Sequence, residues 1–352
     1  MKVKRTVILI SVILVAIFVT TLTFGNVEAQ AADKVYRLKI QSAYPRGDLS
    51  MELLKDFAST ANSMSKGRIK IQVFADPELV PAEQLFEATQ KGTLDMLHAV
   101  AAMWGGIVPV GEVEFGLPYA YNLPGEPDVF AAGKMIRDLF FNTGYVDLLR
   151  GEYAKQGLYW LDVHSYGPIF TMATKKITTC DDMKGLKFRV EGSWADYYNA
   201  LGARGTYISG MEAYMGLKLG TIDASQWDVS AVTGLNWQEV APYRLLGGQN
   251  DVVVGQILFN MKSWNALPDD LKKVMTAAAE DYFNKLLKIY DLELKKVAEL
   301  VKAGTVINSP INDACDRKHE EAALALWEKM GERDPAAAKA IGIIKDWRKT
   351  LK

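Results

Sequence analysis

The stretches YRLKI at residues 36–40 and IKIQVF at residues 69–74 flank LSMELLKDFASTANSM at residues 49–64, and together they decide the fold class. The two outer stretches alternate apolar and polar residues, as half-buried strands do. Between them, apolar side chains recur every three or four residues, which predicts a helix, and Gly67 suits the left-handed position that ends it. Strand, helix and strand at this spacing predict a βαβ unit with parallel strands.

A weak internal repeat extends this pattern. Residues 87–95, EATQKGTLD, resemble residues 212–223, which begin with EA and end with LGTID. Each predicts an amphipathic helix closed by glycine, followed by threonine, an apolar residue and an aspartate that enters a strand. Chance similarity between two helix ends is the alternative. If the likeness is real, the same element is used once in each of two lobes.

The length of the chain favours two lobes. About 320 residues follow the N-terminal segment, which is more than one hydrophobic core usually organises. No low-complexity linker divides them, so we predict an α/β fold with mixed sheets in which the chain crosses between the lobes more than once. The predicted parts are a signal peptide at 1–31, lobe I at 32–158 plus about 247–282, and lobe II at 159–246 plus part of the C-terminal helices. Residues from about 269 to 302 are predicted to form one long helix that can span both lobes. The last part, at 283–352, holds the second half of this helix and the C-terminal helices, which pack on both lobes.

The N-terminal segment predicts export. Lys2, Lys4 and Arg5 precede an uncharged apolar run at residues 7–24, and small residues follow at 27–31. This order is typical of a secretory signal peptide, which places the mature protein in the periplasm. The apolar run is also long enough for an uncleaved membrane anchor, which is the alternative.

Composition excludes several classes of protein. A hydrophobic fraction of 49% with 24% charged residues is that of an ordinary globular protein. The net charge of −1 gives no electrostatic reason to expect nucleic acid or an acidic membrane surface. Cys180 and Cys315 could pair in an oxidising compartment or remain as free thiols, and the sequence leaves both open.

Arg189 is the first candidate for ligand binding. It ends a predicted strand, where ligands of open α/β sheets sit, and its planar guanidinium fits a carboxylate with two parallel hydrogen bonds. A solvated or salt-bridged arginine is the alternative.

Aromatic and oxygen-bearing residues form the second group of candidates. Trp104 and Trp227 fall in loops or strand ends, where aromatic side chains suit the wall of a cleft. Gln226 and Asp228 on either side of Trp227, and Asn250 with Asp251, offer oxygen atoms that suit Ca²⁺, Na⁺ or Mg²⁺.

Enzyme signatures are scarce. The sequence carries no nucleophile elbow, phosphate loop, zinc-ligand spacing or dinucleotide fingerprint. His164 and Glu114 are the residues that could act as a base, and a hydrogen-bonded pocket histidine is the other interpretation of His164.

An ordered series of motifs resembles one family along essentially the whole mature chain. The motifs are GRIKI at 67–71, LVPAEQ at 79–84 leading into GTLD at 92–95, DMKGLKFR at 182–189 and LGTID at 219–223. In these the chain is similar to the extracytoplasmic solute-binding subunit of a tripartite ATP-independent periplasmic (TRAP) transporter, DctP-type. The wording LVPAxQ and the pair Gln226–Trp227 resemble the branch that binds 2-oxo acids and related monocarboxylates.

The resemblance implies a clamp that closes over its ligand, and roles for particular residues. Arg189 matches the arginine that pairs with the ligand carboxylate, and Trp227 matches the cleft tryptophan. In the 2-oxo-acid branch a cation bridges ligand and protein, which here implies Gln226, the Trp227 carbonyl and Asp251, although Gln226 stands where that branch has glutamate. His164 and Tyr166 match a segment with a polar ligand contact.

The expected function is therefore capture of a small organic carboxylate, a 2-oxo or 2-hydroxy monocarboxylate, and its delivery to TRAP membrane subunits. We expect no enzymatic activity and no required cofactor, although a bridging Na⁺ or Ca²⁺ and a homodimer are both compatible with the family. The alternatives are an exported enzyme that acts on small carboxylates and a membrane-tethered ligand-sensing domain.

Overall fold

The predicted βαβ unit is present in the computed structural model, which describes residues 34–121, 128–248 and 252–351. Strands Tyr36–Ser42 and Ile69–Phe74 pair in parallel, and helix Leu49–Met64 connects them. Asp48 begins this helix by accepting a hydrogen bond from a backbone N–H of its first turn. Gly67, with φ of 82°, lies just after its end, in the left-handed conformation that the sequence predicts.

Strands and helices alternate along most of the described chain. In order, the strands are β1 Tyr36–Ser42, β2 Ile69–Phe74, β3 Met96–Ala99, β4 Leu158–Pro168, β5 Phe170–Ala173, β6 Lys187–Arg189, β7 Arg204–Thr206, β8 Ala224–Trp227, β9 Tyr243–Leu246, β10 Val252–Asn260 and β11 Ile307–Pro310. The α-helices are Leu49–Met64, Leu85–Gln90, Val110–Phe115, Val129–Asn142, Tyr145–Lys155, Trp194–Ala200, Gly210–Leu219, Ser230–Thr233, Met261–Asn265, Asp269–Lys302, Asp313–Arg333 and Pro335–Thr350. Short 3₁₀ turns lie at Ala82–Gln84, Ala101–Trp104, Cys180–Met183 and Trp237–Glu239.

The strands form two mixed sheets. The first has the order β2-β1-β3-β10-β4 and the second the order β11-β9-β5-β8-β6-β7. The chain leaves the first sheet after β4, returns to it at β10 and enters the second sheet again at β11. These crossings confirm the predicted α/β fold with interwoven lobes. Strand β4 keeps the chain in the first sheet to Pro168, later than the predicted boundary after residue 158.

The internal repeat is visible in the hydrogen bonds. The Asp95 carboxylate accepts from the backbone N–H of Lys39 at 2.8 Å, and the Asp223 carboxylate accepts from the backbone N–H of Lys187 at 2.9 Å. Strands β1 and β3 are parallel neighbours in the first sheet, and β6 and β8 hold the same relation in the second. The same αβ element is therefore used once in each sheet, where its aspartate ties the incoming strand to its neighbour.

The helix Asp269–Lys302 spans both lobes, as the sequence predicts. Tyr282 donates its hydroxyl to the backbone carbonyl of Ser50 on the side of the first sheet at 2.7 Å. Two turns later, Tyr290 donates to the Asp228 carboxylate on the side of the second sheet at 2.8 Å. One rigid helix thus anchors residues of both lobes. None of the helices in the described ranges is both long enough and apolar enough to cross a membrane.

Cys180 and Cys315 form a disulfide, which settles the alternative that the sequence leaves open. Their Cα atoms lie 5.1 Å apart. The bond joins the turn Cys180–Met183 to the first turn of helix Asp313–Arg333. The predicted signal peptide lies outside the described residues.

Candidate functional site

A cleft of about 490 Å³, part of which opens to solvent, lies between the two sheets. Most of its lining comes from the carboxyl ends of strands and the segments that follow them, which is where open α/β sheets bind their ligands. The lining residues are Tyr44, Asp48, Val100, Phe115, Tyr166, Ile169, Arg189, Glu191, Trp194, Gln226, Trp227, Asp228 and Val253. Four of the predicted ligand-binding residues, Arg189, Trp227, Gln226 and Tyr166, therefore meet in one place.

Arg189 lies at the end of β6 and is only 3% exposed. Its Nε donates to the carbonyl of Ile208 at 3.0 Å, and its Nη1 donates to the carbonyl of Gln226 at 3.4 Å. The guanidinium carbon lies 5.0 Å from the centre of the Trp227 ring, which is a cation–π distance. These contacts fix the guanidinium in the cleft with its plane held by two backbone carbonyls.

Glu191 is the charged partner of Arg189, since its Oε1 accepts from Arg189 Nη2. Burial raises the pKa of the Glu191 carboxyl, and the Arg189 charge opposes that shift. The arginine in the cleft is therefore paired within the chain, as its salt-bridged alternative describes, and its pairing with a ligand stays a prediction.

Trp227 joins the two sides of the cleft. Its Nε1 donates to Asp48 Oδ2 at 3.1 Å, across 179 positions of sequence. Its six-membered ring packs against Gly210, where a Cβ atom would lie 2.4 Å from Trp227 Cη2. Tyr44 meets the indole edge-on, at 5.7 Å between ring centres. The tryptophan is thus held on three sides.

Two buried carboxylates, Asp48 of the first lobe and Asp228 of the second, lie close to each other beside the contact between Trp227 and Asp48. The Ser230 hydroxyl lies 2.5 Å from Asp228 Oδ1 and 3.4 Å from Asp48 Oδ2. Burial raises the pKa of both carboxyls, and the Asp48 charge helps to raise that of Asp228 to about 7. The Asp48 charge therefore favours the protonated form of Asp228.

Three further hydrogen bonds close the cleft. The backbone N–H of Ser193 donates to Glu112 at 3.0 Å, and Trp194 Nε1 donates to the carbonyl of Gly116 at 3.0 Å. At the outer rim, Tyr207 donates its hydroxyl to Glu83 at 3.0 Å. Each bond joins a residue of the second lobe to one of the first, so the clamp is closed.

His164 lies one layer behind the cleft. Its Nε2 is 2.8 Å from the Tyr166 hydroxyl, and its ring stacks on His98 at 4.3 Å between centres. Burial lowers the pKa of His164 and lowers that of His98 to about 3, so both rings are neutral at physiological pH. His164 thus positions Tyr166, which itself lines the cleft beside Tyr44.

Two of the earlier candidates lie away from the cleft. Trp104 ends the turn after β3, and its Nε1 donates to the Tyr153 hydroxyl inside the core of the first lobe at 3.1 Å. Glu114 accepts from Tyr153 at 2.6 Å and from Trp160 at 2.5 Å in the same interior, and burial raises its pKa to about 7. The structure therefore places Trp104 and Glu114 in the packed interior and not in the lining of the cleft.

The predicted cation ligands are described only in part. Asn250 and Asp251 lie outside the described residues. The Gln226 amide nitrogen donates to the Tyr198 hydroxyl at 3.3 Å, and its backbone carbonyl accepts from Arg189. Elsewhere in the described ranges, the one cluster of three metal-ligating residue types is Cys180, Cys315 and His319, whose sulfurs are already bonded to each other. Of the predicted cation ligands, the two that the structure describes, Gln226 and the Trp227 carbonyl, supply neutral oxygen donors.

The sequence reasoning missed Tyr44, Asp48 and Glu191. Asp48 caps a helix, and this local role gives no indication that its side chain also contacts Trp227, which lies far along the chain. Glu191 follows Arg189 by two positions at the same strand end, so its place in the cleft could have been inferred from the argument that selected Arg189.

A closed cleft between two α/β lobes, walled by aromatic rings around one buried arginine, is the architecture of a solute-binding protein.

Comparison with known proteins identifies the family. The family model of the bacterial extracellular solute-binding proteins, family 7 (DctP), matches residues 41–334. The chain belongs to this family, which consists of transporter solute-binding proteins and not of enzymes.

Individual relatives are more distant. The monocarboxylate 2-oxoacid-binding periplasmic protein of Nostoc sp. is 24% identical over 323 residues, which cover 90% of this chain and 85% of that protein. A TRAP periplasmic solute-binding protein from Colwellia psychrerythraea, solved with calcium and pyruvate, superposes with a TM-score of 0.82 and 23% identity. The match covers 90% of this chain and 95% of the Colwellia chain. One from Pseudoalteromonas atlantica, solved with sodium and pyruvate, has a TM-score of 0.81 and 22% identity over the same shares. These solved structures share the two-lobed clamp fold.

Proposed function

We propose that this protein captures a small organic carboxylate outside the cytoplasmic membrane and delivers it to the membrane subunits of a TRAP transporter. Arg189 pairs with the ligand carboxylate inside the closed cleft. One observation carries this proposal: a guanidinium that is 3% exposed lines the cleft with three of its five N–H donors engaged by the protein. Two donors remain for a ligand.

The physical chemistry of burial supports this assignment. A carboxylate that leaves water for a closed cleft needs an opposite charge and hydrogen bonds in return. Arg189 supplies both. Tyr44, Tyr166 and Trp227 offer apolar surface for the carbon skeleton and displace water from the pair, which strengthens its electrostatic attraction.

The ligand class we propose is a 2-oxo or 2-hydroxy monocarboxylate. The name of the Nostoc relative and the pyruvate in the two solved neighbours support it. The sodium and calcium in those neighbours support a bridging cation here, held by Gln226, the Trp227 carbonyl and Asp251. Gln226 adds no negative charge, so we expect such an ion to bind weakly and to leave with its ligand.

Export, lobe division and assembly complete the proposal. Residues 1–31 act as a signal peptide that is cleaved, which delivers the mature chain to the periplasm; membership of an extracytoplasmic family supports this. Lobe I is built on the first sheet and lobe II on the second, with the changeover at Ile169. A homodimer is the assembly that the family resemblance suggests.

Calorimetric titration of protein freed of its cargo by unfolding and refolding tests the role of Arg189. The ligands are short monocarboxylates and their amides, which lack the charge. Removal of one partner of a buried charged pair costs on the order of 2–5 kcal/mol, so Arg189→Ala should weaken carboxylate binding by roughly 30-fold to several thousand-fold. Arg189→Lys keeps a charge beside Glu191 and should give an intermediate loss.

Arg204→Ala is the matched control, because Arg204 lies exposed on β7 of the same sheet. It should bind like the wild type. Carboxylate affinity that survives in a folded Arg189→Ala protein, or equal affinity for carboxylates and their amides, contradicts the proposed role of Arg189.

A further inference from the structure

One oxygen of Glu191 is available to a ligand. Its Oε1 accepts from Arg189, and among the described residues no hydrogen-bond donor reaches its Oε2. The side chain lines the cleft and is 15% exposed. Oε2 is therefore a charged acceptor at the edge of the ligand space.

The other carboxylates of the cleft differ from Glu191 in this respect. The two oxygens of Asp48 accept from the backbone N–H of Met51 and from Trp227 Nε1. Those of Asp228 accept from Ser230 and from Tyr290. Both groups use their two oxygens as acceptors within the protein. Among the lining carboxylates that the structure describes, Glu191 is therefore the one with an oxygen that no protein donor reaches.

A ligand carboxylate bound to the two remaining donors of Arg189 lies beside Glu191, because both carboxylates then share one guanidinium. Two like charges at this distance repel each other. A hydrogen-bond donor on the ligand carbon next to the carboxylate relieves that repulsion when it donates to Glu191 Oε2. A keto oxygen at that carbon has no hydrogen to donate, and its lone pairs are repelled by the Glu191 carboxylate.

On the basis of the proposed function, we propose that Glu191 selects carboxylates that carry a hydrogen-bond donor at C2 over their 2-oxo analogues. The donor is the hydroxyl of a 2-hydroxy acid or the ammonium of a 2-amino acid. Arg189 binds the carboxylate and Glu191 binds the substituent at C2. The two neighbouring side chains thus recognise two neighbouring groups of one small molecule.

Matched ligand trios test this selection. Pyruvate, lactate and alanine share one carbon skeleton, as do 2-oxoisovalerate, 2-hydroxyisovalerate and valine. Dissociation constants are measured by calorimetry with EDTA present and again with added Ca²⁺. A hydrogen bond to a charged group contributes about 1.5–3 kcal/mol, so wild-type protein should bind a donor-bearing member of a trio about 10-fold or more tighter than the 2-oxo member. Comparison of lactate with alanine shows whether the preferred donor is a hydroxyl or an ammonium group.

Glu191→Gln is the decisive variant. Its Oε1 can still accept from Arg189, while its NH₂ group replaces the acceptor Oε2 with a donor. The preference should therefore reverse or fall below about threefold. Glu83→Gln is the control, since Glu83 acts electrostatically on Glu191 but accepts its hydrogen bond from Tyr207 at the rim. It removes the same charge, and its contact with Tyr207 acts on lobe closure equally for every member of a trio, so the ratio of affinities within a trio should stay unchanged.

Several outcomes overturn the selection by Glu191. The first two are a wild-type preference for the 2-oxo members and a preference for donor-bearing members that Glu191→Gln leaves intact. The other two are a preference for the 2-oxo members that appears only with Ca²⁺, and binding of other carboxylates while no member of either trio binds. The proposed function fails separately, when no carboxylate binds in a manner sensitive to Arg189→Ala.

Discussion

Replacement of Gly210 by alanine should loosen the clamp through Trp227. Gly210 begins the helix Gly210–Leu219, and its φ lies outside the left-handed region, so its backbone accepts alanine. The new Cβ atom would lie 2.4 Å from Trp227 Cη2 and 2.9 Å from Cζ3, so the indole must move by about 1 Å to reach an ordinary van der Waals distance. That movement acts on the 3.1 Å hydrogen bond from Trp227 Nε1 to Asp48, which joins the two lobes.

The expected loss of affinity follows from the strength of the hydrogen bond between Trp227 and Asp48. A hydrogen bond to a charged group contributes about 1.5–3 kcal/mol, which corresponds to roughly 10- to 150-fold in the dissociation constant. Because the bond forms only when the clamp closes, Gly210→Ala should weaken ligand binding within that range and change the melting temperature of the ligand-free protein little. Calorimetric titration with the ligand that the wild type binds most tightly, together with a thermal melt, gives both numbers.

The control is Gly151→Ala. Gly151 lies in helix Tyr145–Lys155, and a Cβ atom there meets nothing within 4 Å. Alanine at this position should stabilise the fold by about 0.5–1 kcal/mol and leave affinity unchanged. If Gly210→Ala binds as tightly as the wild type, Trp227 does not couple the lobes in the way described.

Two further predictions concern stability. Glu114 has a pKa raised from 4.5 to about 7, so the stability it contributes is present below pH 4.5 and is lost as pH rises through 7. Between pH 5 and pH 8 the wild type should lose about 2–3 kcal/mol of unfolding free energy relative to Glu114→Gln in urea titrations, and parallel pH profiles would refute this. The bond between Cys180 and Cys315 closes a loop with a sequence separation of 135, so its removal in a Cys180→Ser/Cys315→Ser protein should cost up to about 5 kcal/mol in a chain-entropy estimate. An unchanged denaturation midpoint in the double variant would show that the loop contributes nothing.

Local patterns carried most of the fold prediction. The first βαβ unit and the helix Asp269–Lys302 follow from periodicity within one segment, which a single sequence displays. The repeat at residues 87–95 and 212–223 was predicted in the same way, and its aspartates prove to make equivalent backbone contacts in the two sheets. The disulfide could not be predicted, because the distance between Cys180 and Cys315 depends on how the whole chain folds.

The site was predictable where it depends on one strand end and unpredictable where it depends on contacts between lobes. Arg189 could be placed at the cleft because the carboxyl end of a strand is a local feature. The contact between Asp48 and Trp227 joins residues 179 positions apart, and no pattern in either segment records it. Trp104 shows the reverse case: its position after a strand suggested a cleft wall, but a buried tyrosine hydroxyl accepts its N–H in the core.

The most direct test of the central claim is mass spectrometry of the small molecule released when purified protein is denatured. A closed clamp around Arg189 should carry an organic acid in the wild type, and the same preparation of Arg189→Ala should release little or none of it. A released cargo without a carboxyl group, or equal amounts of the same acid from both proteins, would contradict the assignment of this protein as a carboxylate carrier built around Arg189.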